Sequence, residues 1–295
     1  MNSTKGKTAK RVLAALAASF AFCAFTQRAE AQEILLTGPL AGAPAVRKLR
    51  LHRQSRFEIA PLASFTLLDP YERTILFGAR LNFNFTDWLG VGVYGAFGAV
   101  KIPTALTDHI QEVNVERRRE AAESTDPHID YQNTTTGRLT RVNLGEKFKN
   151  QIGEIDWIVA PQLTLVPFRG KIALFQSIFL DTDLYFFGGP AFVGVKERKN
   201  CDPCDQNIVR ASRVAIAPTF GLGLSFYVNK WSAFGVEWRG LPFSRNLGGF
   251  DTAGGGKDDN FPDDKISSAD QRFEFNQMLT VSYSFYLPTQ YKISE

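Results

Sequence analysis

Asp181 and Asp183 stand two residues apart, a spacing that puts both carboxylates on one face of an extended strand. Two carboxyl groups about 5 to 9 Å apart are the machinery of glycoside hydrolysis. No partnering base and no nucleophile motif accompanies this pair, so a salt bridge in a lumen or at a strand end is the plainer reading. His52, His109 and His128 fall in the N-terminal segment and in a long connection, none beside the nucleophile that a Ser-His-Asp arrangement requires. The chain therefore reads as non-enzymatic, with no catalytic residue and no cofactor. Asp251, Asp258, Asp259, Asp263 and Asp264, interleaved with Gly254, Gly255 and Gly256, could offer oxygen ligands to calcium. The helix-loop-helix calcium pattern is missing, which leaves Asp258, Asp259, Asp263 and Asp264 as candidate ligands in what reads as a solvated acidic loop, with no metal assigned.

The remaining reactive pair is Cys201-Asp202-Pro203-Cys204. In a reducing compartment it could be redox-active or half of a zinc site, so its meaning depends on where the chain goes. Residues 1–31 read as a signal peptide: Lys5, Lys7, Lys10 and Arg11 form a basic start, residues 12–25 an apolar core, and Ala29-Glu30-Ala31 a small-x-small cleavage site. That apolar core is about 14 residues long against the roughly 20 that a membrane-spanning helix needs. Export makes a Cys201–Cys204 disulfide the simpler expectation, a short bridge that shapes a loop tip. Cleavage also removes five basic residues and one acid from totals of 34 and 30, leaving 29 of each sign. With no net charge, nucleic acid is not an expected partner.

The elements that must position these residues are extended. No stretch after the signal peptide has the 18 consecutive apolar residues of a helical span, and what recurs is a period of two. Ile75, Phe77, Ala79, Leu81, Phe83 and Phe85 alternate with Leu76, Gly78, Arg80, Asn82 and Asn84; Val214, Ile216, Pro218, Phe220, Leu222 and Leu224 alternate with Ala215, Ala217, Thr219, Gly221, Gly223 and Ser225. Eight such strands are expected, over residues 57–66, 74–85, 89–99, 155–166, 171–193, 213–226, 231–241 and 273–287. A soluble sandwich strand is about five or six residues, whereas a tilted membrane-crossing strand needs about 9 to 11. Three connections are tight, at residues 86–88, 167–170 and 227–230; the alternate ones, at 67–73, 100–154, 194–212 and 242–272, include all the long ones. That parity belongs to a transmembrane barrel, with short turns in the periplasm and long loops outside. The expectation is all-β: an eight-stranded antiparallel transmembrane β-barrel over residues 57–287, between a basic periplasmic segment at 32–56 and a short periplasmic tail at 288–295, in the bacterial outer membrane. Strand-end rings, among them Phe83, Phe85, Trp88, Trp157, Trp231 and Trp238, are placed to form interfacial girdles.

On that alternation Glu58, Arg80, Asp156, Glu237, Arg239 and Glu274 face inward with Asn82, Asn84, Gln162 and Asn276. An eight-stranded lumen is only wide enough to be filled by side chains, so the charges are expected to pair as a lumen polar network; a narrow path for ions or small solutes is the alternative. Arg47, Lys48, Arg50, Arg53 and Arg56 precede the first strand and could contact anionic headgroups or envelope proteins, or simply seat the barrel against the inner leaflet. The Arg117-Arg118-Arg119 run among Glu112, Glu116, Glu120 and Glu123 reads as a mixed-charge surface helix.

The order of Arg56-Phe57-Glu58-Ile59-Ala60-Pro61, Leu67-Leu68-Asp69-Pro70-Tyr71, Phe85-Thr86-Asp87-Trp88-Leu89-Gly90-Val91, Pro167-Phe168-Arg169-Gly170-Lys171 and Asp183-Leu184-Tyr185 resembles the outer-membrane β-barrel domain family of myxobacteria and related deltaproteobacteria. The resemblance covers the chain from about Arg47 onward and implies an outer-membrane barrel without catalytic residues. Some relatives are associated with envelope assemblies of gliding motility, so it implies outer-membrane lipid and envelope proteins as partners.

Overall fold

The computed structural model describes residues 50–123, 147–174, 178–201, 208–252, 266–290 and 292–293, with the backbone alone at 117–123, 173–174, 178–179 and 200–201. Eight strands, β2 (Arg56–Leu67), β3 (Glu72–Asn84), β4 (Leu89–Pro103), β5 (Glu154–Leu174), β6 (Ile178–Cys201), β7 (Ile208–Tyr227), β8 (Ser232–Arg245) and β9 (Arg272–Leu287), close into an antiparallel barrel in sequence order. A two-residue strand β1 (Arg50–Leu51) pairs with β10 (Lys292–Ile293), holding the N-terminal segment beside the C-terminal tail. The connection after β4 carries helix α1 (Ala105–Glu123), on which the arginine run lies.

The barrel's stagger follows from its register. Walking across the strands from Phe57 through Phe83, Val91, Leu163, Gly188, Phe220, Gly240 and Gln277 returns to β2 at Leu67, ten residues further along. A shear of ten over eight strands tilts each strand steeply, within the roughly 35–45° usual for barrels. Inside, the taper is filled by setting large residues on one strand against glycine on the next. A Cβ on Gly223 would lie 2.4 Å from Tyr185, and one on Gly221 at the same distance from Phe187.

Four differences from the sequence expectation have identifiable causes. The turn expected at residues 167–170 is not there: β5 pairs onward with β6 from Phe168↔Leu184 to Leu174↔Ile178, with a register shift between Leu165 and Phe168. Pro167 lacks an amide hydrogen and reads as a turn residue, but a bulge absorbs it. The loop expected at 194–212 is mostly strand, because Lys196, Glu197 and Arg198 pair with Ser212, Ala211 and Arg210. Charges on both faces signal a loop in a half-buried sheet, yet a ladder that has left hydrocarbon tolerates them. Likewise β4 continues to Pro103 and β8 to Arg245. Finally, the basic segment before β2 is not a free flank, as its closing role shows.

Candidate functional site: the lumen and its two closures

Four residues expected in the lumen converge at mid-height. Glu58 from β2, Arg80 from β3, and Glu237 and Arg239 from β8 are all fully buried. Arg80 donates from Nη2 to Glu58 Oε1 at 2.6 Å and also pairs with Glu237. Tyr185 Oη donates to Glu237 Oε1 at 2.7 Å, and Ser284 Oγ to Glu58 Oε1 at 2.8 Å. Arg239 lies 3.6 Å from Glu237, donates to Gln162 Oε1 at 2.9 Å and to Thr219 Oγ1 at 3.1 Å, and has Tyr94 and Phe187 rings 4.0 and 4.2 Å from its guanidinium carbon. A weakly hydrated guanidinium between two ring faces is well suited to a lumen with little water.

The other two expected members lie elsewhere. β5 shifts register between Ile155 and Trp157, which puts Asp156 half-exposed at the outer end, 3.0 Å from Lys196, while Ile155 and Ile158 take the buried positions. Alternation cannot be carried through a bulge, so parity alone puts Asp156 on the wrong side of the wall. Glu274 belongs to the outer rim, where Arg245 joins it at 3.0 Å and also pairs with Asp69.

The periplasmic mouth is closed by residues read from sequence as a contact flank. After β1 the chain turns inward, with Ser55 at a φ of 56°, and drops Arg53 into the lumen. Arg53 Nε donates to Asp183 Oδ2 at 3.0 Å and to Tyr227 Oη at 3.1 Å, Nη2 to Ser225 Oγ at 2.9 Å, and Nη1 to Glu58 Oε2 at 3.3 Å. Its backbone amide donates to Asp87 Oδ1 at 3.0 Å. Arg56 is equally buried and binds three carbonyl oxygens, of Pro288, His52 and Tyr286. These two arginines are thus corrected from membrane or envelope contacts to internal clamps. Arg50 keeps an exposed side chain, 3.6 Å from Asp181, whereas Arg47 and Lys48 lie outside the described residues.

His52 completes this closure, its ring stacked on Tyr227 at 4.0 Å and its Nε2 3.1 Å from Asp181 Oδ2. Burial pushes its pKa below the ordinary 6.5, against the pull of the Asp181 carboxylate. Sequence reasoning offered Asp183 as a salt-bridge partner in a lumen or at a strand end, but missed Arg53 and Tyr185 as parts of the lumen network. Asp183 and Tyr185 do show inward parity along β6, but a single loop arginine carries no periodic signal.

The outer mouth is also covered. Phe148 and Ile152 are fully buried, and the Phe148 ring stacks on Phe250 at 5.8 Å and meets Tyr71 edge-on at 5.5 Å. Gly153 N donates to Leu247 O at 2.7 Å and Arg198 Nη1 to Gly249 O at 2.9 Å. Gly249 sits at a φ of 64° with the Gln151 carbonyl 2.3 Å from where a Cβ would stand, so both backbone and space demand glycine there. Between this cap and the ionic layer lies an apolar layer that includes Leu62, Leu76, Ile155, Ile158, Val193, Leu241, Phe243 and Met278.

Among the described residues no group of three or more His, Cys, Asp or Glu is placed to hold a metal ion. The candidate ligands Asp258, Asp259, Asp263 and Asp264 lie outside the described residues, as does Cys204; of Cys201 only the backbone is described, at the end of β6.

The outer wall inverts the usual rule of a soluble protein. Phe57, Phe77, Leu81, Val93, Phe97, Leu163, Phe186, Ile216, Leu222 and Phe275 point outward and are exposed, while the charges sit inside. Near the short turns Phe57, Phe83 and Phe85 pack in a row, and Trp231 stacks on Phe285 at 5.7 Å, forming one aromatic band. Such a wall is solvated by hydrocarbon, where only a closed barrel or a helix satisfies its backbone. An antiparallel barrel with this exterior and one-sided long connections is a bacterial outer-membrane protein.

No protein-family model and no curated protein matches the sequence. Among solved structures, the chain is similar to the N-terminal β-barrel domain of Pseudomonas aeruginosa OprF, with 8% identity over 79% of this chain and 98% of that one and a TM-score of 0.40. It is similar to the outer membrane protein OprG of the same organism, with 9% identity over 80% and 97% and a TM-score of 0.35. It is also similar to the outer membrane protease OmpT of Escherichia coli, with 7% identity over 83% and 99% and a TM-score of 0.30.

Proposed function

We propose that this barrel is a non-enzymatic structural or interaction protein of the outer membrane, which keeps its lumen shut and presents its outer cap and α1 to partners. The observation that carries the reading is the continuous filling of the lumen. From the periplasm outward a permeant ion meets the Arg53–Asp183 closure, the Glu58–Arg80–Glu237–Arg239 layer, the apolar layer and the aromatic cap. The apolar layer gives a dehydrated ion no partner, and each charge of the ionic layer already has an opposite charge beside it. The same pairing speaks against catalysis, since a general acid or base must be free to exchange a proton with a substrate. The resemblance to the myxobacterial family points to an envelope assembly, including that of gliding motility, as the setting, with outer-membrane lipid and envelope proteins as partners.

Planar-bilayer recording of the purified full chain tests this. The expected result is no reproducible conductance steps; steps that survive repurification and depend on voltage would instead establish the narrow channel.

A further inference from the structure

Four outward-facing prolines stand side by side on neighbouring strands. Pro190 on β6 is directly opposite Pro218 on β7. On β5, Val159↔Phe192 and Leu163↔Gly188 bracket a break in the ladder with β6, and the register places Pro161 opposite Pro190 at that break. The β7–β8 ladder ends at Phe220↔Gly240, and the same register places Pro218 opposite Pro242 two residues beyond.

In an antiparallel ladder, directly opposed residues alternate between exchanging two hydrogen bonds and exchanging none. Pro190↔Pro218 falls at a position of the second kind and costs nothing. Pro161 with Pro190, and Pro218 with Pro242, fall at positions of the first kind, where proline has no hydrogen to give. The β5–β6 ladder resumes above its gap. Among the described residues the β7–β8 ladder does not, leaving β7 from Ile208 to Thr219 and β8 from Leu241 to Arg245 without backbone pairing to each other.

Side chains span the top of this seam. Arg213 Nη2 donates to Ser244 O at 2.9 Å, and Glu197 accepts from both Arg213, at 3.0 Å, and the Asn246 amide, at 2.8 Å. The outer rim is apolar and exposed, with Val214 at 53% and Ile216 at 73%. The inner rim, Ala215, Ala217, Leu241 and Phe243, belongs to the apolar layer of the lumen. Apolar surfaces on both sides of an unzipped stretch of wall, on the outer half of the barrel, match one kind of ligand.

We propose that the β7–β8 seam above Phe220 and Gly240 is a lateral portal through which one acyl chain of an outer-leaflet lipid enters by parting the apolar side chains that fill the upper lumen. The prolines keep the wall from zipping at this level, and they do so without leaving unpaired donors of their own in hydrocarbon. The portal is independent of the closed axial path, which it neither needs nor opens.

The test uses the full chain, with Cys201→Ser and Cys204→Ser, in phosphatidylethanolamine vesicles containing a phospholipid with a diazirine midway along one acyl chain. Photolysis and peptide mass mapping should find adducts on the inward residues Ala215, Ala217, Leu241 or Phe243 besides those on the outer wall. Ile216→Cys with Ser244→Cys, joined as a disulfide or by a short bismaleimide, should remove the inward adducts severalfold, and reducing the disulfide should restore them. Pro218→Val with Pro242→Val, which returns two donors to the seam, should lower them without any cross-link and serves if the cysteine variant does not fold. Adducts confined to the outer wall in the unstapled protein, or inward adducts that survive stapling, would overturn the portal.

Discussion

Arg53 shows how much a single side chain can hold at a barrel mouth. It is 1% exposed and joins β2, β6 and β7 through Glu58, Asp183, Ser225 and Tyr227. Arg53→Ala leaves two buried carboxylates short of a counter-charge, and loss of one partner of such a group costs about 3–5 kcal/mol. The expected outcome is a lower urea midpoint for the reconstituted barrel, with part of the loss recovered when Asp183→Asn is added. His52 contributes in a different way. Its pKa is lowered in the folded protein, so the unfolded chain binds its proton first. Its contribution is therefore complete above about pH 6.5, the ordinary histidine value, and is lost as pH falls from there through the lowered folded value. His52→Phe retains a ring to stack on Tyr227 but cannot titrate. Between pH 7.5 and 5.5 the wild-type urea midpoint should fall by more than that of His52→Phe; equal slopes would show that His52 is not the titrating group.

At the scale of the strand, packing rests on neighbours of opposite size. Tyr185 can reach Glu237 only because Gly223, opposite it on β7, has no side chain. Gly223→Ala should push Tyr185 off Glu237 and destabilise by about 1–3 kcal/mol, the usual cost of overpacking. Heat-modifiable mobility on unboiled gels reads this directly, and Tyr185→Phe in the same background should remove little further, because the hydroxyl has already lost its partner. The strands themselves were legible in the sequence because one face meets lipid and the other the lumen, which enforces a period of two through the membrane. Legibility stopped where that constraint stops. Beyond hydrocarbon the β6–β7 hairpin carries charge on both faces, so Glu197 reads as loop although it pairs with Arg213 at 3.0 Å. Pro167 and the bulge at Ile155 shift the alternation and misplace the strand residues beyond them. In the lumen, Glu58, Arg80, Glu237 and Arg239 were found by parity alone, since each lies within an unbroken run. Arg53 arrives from outside the strands, and only its three-dimensional partners reveal its role.

The molecule as a whole is longer than its membrane. At about 3.3 Å per residue the 24 residues of β6 extend roughly 80 Å, and a tilt of about 40° still leaves about 60 Å of height against a hydrocarbon core near 30 Å. The excess falls at both ends, as the β5–β6 hairpin beyond Pro167 and the β6–β7 hairpin beyond Val195. Sidedness then decides what each end can meet. If α1 and the aromatic cap face outward, Glu116 on α1 is accessible from the medium, while Lys230, in the turn between β7 and β8, faces the periplasm. Both residues are exposed, so cysteine replacements at either should react once reagent reaches them. In a background carrying Cys201→Ser and Cys204→Ser, a membrane-impermeant maleimide should label Glu116→Cys on intact cells. It should label Lys230→Cys only after the outer membrane is permeabilised, and labelling both positions on lysed cells controls for folding. The reverse pattern would turn the barrel over, placing the Arg53 closure at the cell surface and the β7–β8 seam in the inner leaflet. Equal labelling of both sites in the soluble periplasmic fraction would remove the barrel from the membrane altogether, and with it the reason for an apolar wall around a charged core.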